Sequence, residues 1–177
     1  EARWHAFANE PTMPKTLFPI GGHAGYAEVW AAGLSISMTS SIAAADAILL
    51  MGLPDGTALD AWDKTLRAAQ GRALPLYCSN PDFTSPRGGG QYVVSPGAVA
   101  QRYRDMGGAV HLYGKPHHPI FAAVEAALDC CPDRILMVGD SLHHDILGAQ
   151  DAGWASLLIR GGLHAPDVRP NTVPEDI

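Results

Sequence analysis

The chain has 177 residues, of which 47% are hydrophobic and 17% are charged, a composition that predicts a folded globular protein and excludes a disordered one. Its net charge of −6 includes only 12 basic residues, and these are scattered, so the sequence does not favour nucleic-acid binding. The longest apolar stretch, residues 42–53, is interrupted by Asp46 and is too short to span a bilayer.

The ends of the chain and its cysteines bear on the cellular compartment. No charged segment followed by an apolar one opens the chain, so no secretion signal is predicted. The three cysteines form no C-x-x-C pair, and reduced thiols in a cytoplasmic protein are expected. The chain begins with EARWHAF and ends in RPNTVPEDI, and we expect it to be part of a longer protein.

The first predicted elements follow a segment rich in Pro and Gly. Residues 1–25 show no periodicity and are predicted to be irregular. The apolar run at 47–52 predicts a strand that is buried on both faces. Thr57 is the expected N-cap of a helix that continues to Gly71, because apolar residues recur there at helical spacing.

The pattern continues to the end of the chain. Residues 74–79 predict a strand and residues 80–90 a loop; Ser95 and Pro96 are typical of a helix start. Further strands are predicted at 109–113, 134–138 and 155–159, and further helices at 119–128 and 145–152. Strands and helices alternate at the spacing of βα units, which predicts an α/β fold with a doubly wound parallel sheet.

Chemically useful side chains follow three of these strands. Lys115 follows the strand at 109–113, and Asn80 and Asp82 follow an earlier one. Asp140 follows another strand, and Asp145 begins the next predicted helix. Ligands of open parallel sheets bind outside the carboxyl ends of the strands. These five residues are therefore the candidate site residues.

The two aspartates and the lysine suggest phosphoryl transfer. Converging carboxylates repel each other unless a cation lies between them or one is protonated, and Mg²⁺ prefers carboxylate, water and phosphate oxygens. Lys115 would add a positive charge for a phosphate. Taken singly, Asp145 can be a helix cap, Asp140 a turn residue and Lys115 a surface charge. Their joint position at strand ends favours the functional interpretation.

Two other patterns are given structural interpretations. The pairs His117-His118 and His143-His144 consist of adjacent residues, whose side chains point in different directions, so a zinc site is not expected. The stretch RGGGQ at 87–91 lacks the pattern of a nucleotide-binding loop and is predicted to be an ordinary loop.

Three segments together resemble a known superfamily. They are SNPD at 79–82, GKP at 114–116 and VGDSLHHDILGAQDAG at 138–153. Their order is similar to that of the haloacid dehalogenase (HAD) superfamily, and more narrowly to its class IIA, NagD-like branch of phosphatases. The resemblance implies a HAD-like Rossmannoid core with an α/β cap domain. It assigns residues 1–20 to an irregular segment, 21–108 to the cap and 109–177 to the C-terminal part of the core.

The resemblance also implies roles for the site residues. Lys115 matches the lysine that steadies the nucleophile and the phosphate. Asp140 matches the aspartate that coordinates Mg²⁺, and Asp145 the second acid of that metal site. Asn80 and Asp82 fall in the loop that helps to select the substrate in class IIA relatives.

The nucleophile of that superfamily is missing from the sequence. The resemblance requires an aspartate in a D-x-D motif after the first core strand, but the nearest match, LPDGT at 53–57, has Leu53 in its place. We therefore expect the nucleophile to lie outside these 177 residues, which would be inactive alone. The expected function is Mg²⁺-dependent hydrolysis of small phosphate esters, with a homodimer as an expected assembly. The alternative is a non-catalytic binding or interaction module.

Overall fold

The computed structural model describes residues 14–87 and 91–160, which belong to two compact units, 14–114 and 115–160. The strands of the first unit are β1 (Thr16–Ile20), β2 (Ser37–Met38), β3 (Ala47–Leu50), β4 (Leu76–Cys78), β5 (Thr84–Arg87), β6 (Gln91–Val94) and β7 (Val110–Leu112). Its helices are α1 (Tyr26–Ala31), α2 (Asp63–Gln70) and α3 (Pro96–Asp105). The second unit contains α4 (His118–Leu128), a 3₁₀ turn (Pro132–Arg134), β8 (Leu136–Gly139), a π-helical segment (Leu142–Leu147), α5 (Gly148–Asp151) and β9 (Ala155–Leu158).

The first unit is built on a five-stranded sheet in the order β2-β1-β3-β4-β7. Every pair in this sheet is parallel, as expected for strands that are joined through helices. Helices α2 and α3 cover one face, where Leu50, Leu66 and Tyr103 are fully buried in one cluster. The Tyr103 hydroxyl donates a hydrogen bond of 2.6 Å to the carbonyl of Leu74. This bond satisfies a polar group that the core would otherwise leave unpaired.

The second unit contains the parallel pair β8-β9. On one face, Phe121 of α4 packs edge-on against Trp154 with ring centroids 5.0 Å apart, and the Trp154 indole N–H donates to Glu125 at 2.7 Å. Four apolar side chains on the other face are about half exposed, and these are Leu136, Val138 and Leu157 of the pair and Ile159 just after β9. The described part of the unit thus has one covered sheet face.

The predicted α/β fold with a parallel sheet is confirmed. Predicted strands at 47–52, 74–79, 109–113, 134–138 and 155–159 contain β3, β4, β7, most of β8, and β9, respectively. β7 lies in the first sheet, and the compact units divide after Gly114. The predicted cap at 21–108 and core segment at 109–177 stay predictions. Within the described residues, no helix is both long and apolar enough to cross a membrane.

Four strands, β1, β2, β5 and β6, were not predicted, and prolines or glycines lie in them or near them. β1 lies in the segment that was predicted to be irregular. It forms a strand even though it contains Pro19. β2 pairs only with Thr16 and Leu17 of β1. The backbone nitrogen of Pro19 therefore lies beyond the β1-β2 ladder, and its missing hydrogen costs no hydrogen bond to β2. The predicted loop at 80–90 contains β5, which forms an antiparallel hairpin with β6. Residues 88–90 of the stretch RGGGQ lie outside the described residues.

Two predicted helix starts were wrong. The Thr57 hydroxyl donates to the carbonyl of Pro54 in a turn, and α2 begins only at Asp63. The helix predicted from Asp145 begins earlier, as a π-helical segment from Leu142. The first start was predicted too early and the second too late.

Candidate active site

Asp145 is the buried centre of the candidate site. Only 3% of this residue is exposed. Its Oδ1 accepts a hydrogen bond from the ammonium group of Lys115. Its Oδ2 accepts from the backbone N–H groups of Asp140 and Ser141, at 3.1 and 3.0 Å. Three donors therefore satisfy a carboxylate that would be costly to bury alone.

These donors keep Asp145 ionised. Burial by itself would raise the pKa of Asp145, because a low-dielectric environment disfavours the charged form. The hydrogen bond from Lys115, the backbone N–H groups and the charge of Lys115 outweigh burial, so the pKa of Asp145 lies below its usual value. The site thus holds a negative charge and a positive charge in contact at neutral pH.

Gly139 allows the chain to pass over the Asp145 carboxylate. A Cβ atom added at Gly139 would lie 2.2 Å from Cγ of Asp145, well inside van der Waals contact. The glycine at the end of β8 therefore lets the backbone approach the carboxylate that binds the next two amides. Close approach to a side chain, rather than an unusual φ angle, is the reason for glycine here.

Ser141 is a site residue that the sequence analysis missed. Its hydroxyl accepts a hydrogen bond from the backbone N–H of His144 at 3.1 Å and so caps the π-helical segment. The same hydroxyl lies 3.2 Å from Nδ1 of His144. A serine directly before a helix is a known capping signal, and it would have placed the helix start correctly.

Lys115, Asp140 and Asp145 lie close together, as predicted from their positions, but Lys115 and Asp140 contact Asp145 through different groups. Asp145 and Lys115 are in side-chain contact, whereas Asp140 contributes its backbone N–H to Asp145. The prediction that both aspartates ligate a metal stays a prediction. Within the described ranges, no group of three or more His, Cys, Asp or Glu residues could hold a metal ion. A hard cation there would need water or substrate oxygens beside the carboxylates, as Mg²⁺ commonly has.

Asn80 and Asp82 belong to the first unit. The Asn80 side-chain oxygen accepts a hydrogen bond from the Asp82 backbone N–H at 3.3 Å, which closes a turn after β4. The Asp82 carbonyl accepts from Gly97 at the start of α3 at 2.8 Å. These contacts give the loop a structural role, and its role in substrate binding stays a prediction.

Known proteins resemble this chain in sequence and in fold. Residues 112–177 match the family described as HAD-hydrolase-like. A hydrolase of the haloacid dehalogenase-like family from Brucella suis superposes with a TM-score of 0.75 at 29% identity, over 99% of this chain and 68% of that one. Glycerol phosphate phosphatase from Mycobacterium tuberculosis, solved with calcium, gives a TM-score of 0.73 at 23% identity, over 92% of this chain and 47% of that one.

A curated relative matches part of the chain. Dihydroxyacetone phosphatase from Corynebacterium glutamicum is 29% identical over 87 residues, which are 49% of this chain and 31% of that protein. The chain thus spans about a third of that relative. The family match includes the segment from Lys115 to Asp145, whose contacts form the site. Residues 112–177 are therefore similar to the HAD-like hydrolases, and the chain resembles a hydrolase of that family in fold.

Proposed function

We propose that the protein is a Mg²⁺-dependent phosphatase of small phosphate monoesters, in which Lys115, Asp140 and Asp145 form the lysine and metal half of the active site. The observation that carries this proposal is the contact between buried Asp145 and Lys115 beside the loop that starts at Asp140. Phosphoryl transfer depends mainly on positioning and charge neutralisation. A lysine fixed by a buried carboxylate and a neighbouring aspartate supply both.

Lys115 is suited to contact a phosphate directly. Its side chain is 47% exposed, whereas the side chain of Asp145 is only 4% exposed. The ammonium group therefore has one side held by the protein and another open to a ligand. Asp145 acts as the positioning residue, because its oxygens are used by Lys115 and by two backbone amides.

A divalent cation would complete this half of the site. Asp140 would hold it, together with water and phosphate oxygens, and the cation would neutralise charge on the phosphate when bound. Asp145 would support the loop of Asp140 from behind, as residues that orient metal ligands do. The M. tuberculosis relative was solved with a divalent cation, calcium, which supports the class of metal.

The nucleophile is proposed to be an aspartate outside these 177 residues. It attacks phosphorus, the bond to the alcohol oxygen breaks and the alcohol leaves, and water then hydrolyses the aspartyl phosphate to the free aspartate and inorganic phosphate. The half-exposed apolar face of β8-β9 supports this proposal, because parallel sheets are normally covered on both faces. A further segment of the natural protein could pack there and bring the aspartate to the carboxyl end of β8. The first unit, which contains Asn80 and Asp82, would act as a cap domain. We also propose a cytoplasmic location for the protein.

The test is a phosphatase assay of the natural full-length protein with Mg²⁺, using glycerol phosphate and p-nitrophenyl phosphate. Asp140→Asn should lower kcat about 100-fold or more, as loss of one electrostatic contact to a transition state typically does. It should also raise the Mg²⁺ concentration needed for half-maximal rate. Asp145→Asn should cost about 10- to 100-fold. Asp151→Asn, an exposed carboxylate in α5, is the matched control and should leave the rate unchanged.

Two results would contradict the proposal. One is full activity of Asp140→Asn, and the other is a wild-type rate that does not respond to removal of divalent cations. If the natural protein binds Mg²⁺ but hydrolyses neither ester nor any of a panel of small phosphates, the non-catalytic binding module is the correct function. The missing D-x-D motif within this sequence is the observation that favours that second candidate.

A further inference from the structure

Strands β4 and β7 are neighbours in the first sheet, and the segments that follow them meet. The backbone N–H of Tyr113 donates a hydrogen bond of 3.0 Å to the carbonyl of Cys78, so the two strands stay paired up to the start of both loops. SNPD at 79–82 follows β4, and Gly114 follows β7. Gly114 immediately precedes Lys115, so a contact that fixes Gly114 also fixes the backbone from which the lysine side chain starts.

Pro81 of the SNPD segment is buried against two buried glycines. A Cβ atom added at Gly114 would lie 2.2 Å from Cδ of the proline ring. At the other end of the residue, a Cβ atom added at Gly97 would lie 1.9 Å from the Pro81 carbonyl oxygen. Neither glycine has a left-handed φ angle, so close packing on Pro81 is the reason for glycine at both positions.

The loop around Pro81 is rigid. The proline ring fixes its own φ angle. The carbonyl of Asn80 accepts a hydrogen bond from the Cys78 thiol at 3.1 Å, and the carbonyl of Asp82 accepts from the backbone N–H of Gly97 at 2.8 Å. The residues on both sides of the proline are therefore held, and its ring forms a fixed surface against which Gly114 packs.

This surface matters for Lys115 because the lysine side chain is long and half exposed. Its ammonium group donates to Asp145, but the side chain is 47% exposed. A lysine loses many rotamers when it is held in one place, and solvent screens an ion pair that is partly exposed. The bond to Asp145 alone would hold the ammonium group loosely. A fixed backbone at Gly114 narrows the positions that the group can reach.

We propose that Pro81 and Gly114 are positioning residues, which fix the backbone of Lys115 and so set where its ammonium group meets the phosphate. This inference rests on the proposed function, because it takes Lys115 to be the residue that contacts the phosphate. It gives the SNPD segment a role beside the predicted selection of the substrate. A displacement of about 1 Å in an active site can cost about 100-fold in rate, so a tight contact one residue from Lys115 has a measurable effect.

Gly114→Ala in the natural full-length protein is the first test. Its methyl group must displace either Pro81 or the start of Lys115, so kcat/KM for p-nitrophenyl phosphate should fall about 10- to 100-fold. Inorganic phosphate, used as a competitive inhibitor, should bind about tenfold more weakly, as expected for one contact to a charged group. The Mg²⁺ concentration for half-maximal rate should stay the same, because the proposed metal ligand is Asp140.

A second substitution at Pro81 tests whether the effect passes through the proline. Pro81→Ala removes the ring atoms that the new methyl group would meet. The double variant Pro81→Ala/Gly114→Ala should therefore recover about three- to tenfold of the kcat/KM that Gly114→Ala loses, as contacting residues do when they are coupled. Recovery is expected to be partial, since the Ser79 carbonyl oxygen would still lie 3.0 Å from the added Cβ atom.

Gly108→Ala is the matched control. Its Cβ atom would lie 2.3 Å from Cε1 of Tyr103, so it overpacks the same unit to a similar degree but does not adjoin Lys115. It should lower the melting temperature and leave kcat/KM and inhibition by phosphate unchanged. Equal losses of activity in Gly108→Ala and Gly114→Ala would show a general effect of overpacking and would overturn the proposal.

The backbone amide NMR signal of Ser141 separates this inference from the proposed function. The N–H of Ser141 and the ammonium group of Lys115 bind the same carboxylate, that of Asp145. Gly114→Ala should shift the signal, and the double variant should return it towards its wild-type position, even if the protein hydrolyses no ester. A wild type without activity whose signals behave in this way would refute the phosphatase and leave the positioning of Lys115 in place.

Two outcomes refute the positioning role itself. One is a Ser141 signal that Gly114→Ala leaves unmoved, and the other is a double variant that resembles Gly114→Ala in both signal and rate. If Gly114→Ala does not fold, Pro81→Ala alone decides, because it leaves a gap beside Gly114 without adding an atom that clashes. It should shift the Ser141 signal, and an unmoved signal would show that Pro81 does not position Lys115.

Discussion

Strands β3 and β8 have similar apolar sequences but different surroundings. Each residue of β3, Ala47–Leu50, is at most 1% exposed. In β8, by contrast, Leu136 is 55% exposed and Val138 is 54% exposed. β3 has a strand neighbour on each side, β1 and β4. β8 pairs with β9 alone among the strands of the described residues.

The difference shows what an apolar run in a sequence does and does not predict. Both runs favour a strand, because each is short and ended by turn-forming residues. Neither run shows whether one or both faces of the strand are covered, because this depends on contacts with distant parts of the chain. The energetic importance of a residue such as Leu50 or Val138 therefore follows from the packing around it and not from its hydrophobicity.

The largest expected effect comes from truncating a side chain in β3. Leu50→Ala removes a fully buried side chain from the main cluster and should lower the free energy of unfolding by about 2–5 kcal/mol. In the 177-residue chain the Val138 side chain is half exposed, so Val138→Ala there should change the free energy of unfolding by less than about 0.5 kcal/mol. Chemical denaturation followed by circular dichroism measures both. Equal losses for the two variants would show that the two strands do not differ in packing.

A smaller loss of stability is expected at Gly139, where the backbone passes close to the side chain of Asp145. Gly139→Ala places a methyl group against the Asp145 carboxylate and should destabilise the protein by about 1–3 kcal/mol, as overpacking does. Gly71→Ala is the matched control, because Gly71 has an ordinary right-handed conformation and its added Cβ would meet other atoms at 3.5 Å or beyond. Thermal unfolding should separate the two variants, and a harmless Gly139→Ala would contradict the close approach.

The smallest effect concerns acid stability and compares one carboxylate from each unit. The pKa of Asp145 is lowered, despite burial, by Lys115 and two backbone amides. The pKa of Asp63 is lowered mainly by its hydrogen bond with Arg102. A carboxyl whose pKa is lower in the folded protein stabilises it above the ordinary pKa of 3.8, and this contribution is lost as pH falls through the folded value.

Melting temperatures measured between neutral pH and about pH 3 test this pair. The wild type should lose stability below about pH 4, and Asp145→Asn should reduce this loss more than Asp63→Asn does. The Asp145 side chain is only 4% exposed and that of Asp63 is 23% exposed, so solvent screens the contacts of Asp145 less. Identical slopes for the wild type and Asp145→Asn would mean that Asp145 is not held ionised by its neighbours.

Much of the fold could be predicted from the sequence, because its strands are apolar runs ended by turn residues. The positions of Lys115 and Asp140 after strands also predicted that they lie close to Asp145, as they do. Their functional role stays a prediction. The contact between Lys115 and Asp145 is a matter of side-chain geometry. The sequence places both residues in segments that follow strands but does not show that Asp145 turns inward.

The errors share a physical cause. β1 was missed because Pro19 argues against a strand, and only the short pairing of β2 explains why it is tolerated. The hairpin of β5 and β6 was missed because turn-forming residues dominate its first strand.

The hydrogen bonds from Asp145 to the loop after β8 have a consequence for backbone dynamics. Loop amides usually exchange their hydrogens with solvent deuterium quickly, because few contacts protect them. The amides of Asp140 and Ser141 follow the last residue of β8 and are bound to a buried carboxylate. They should exchange as slowly as amides inside a strand, and their protection should vanish when Asp145 loses its charge.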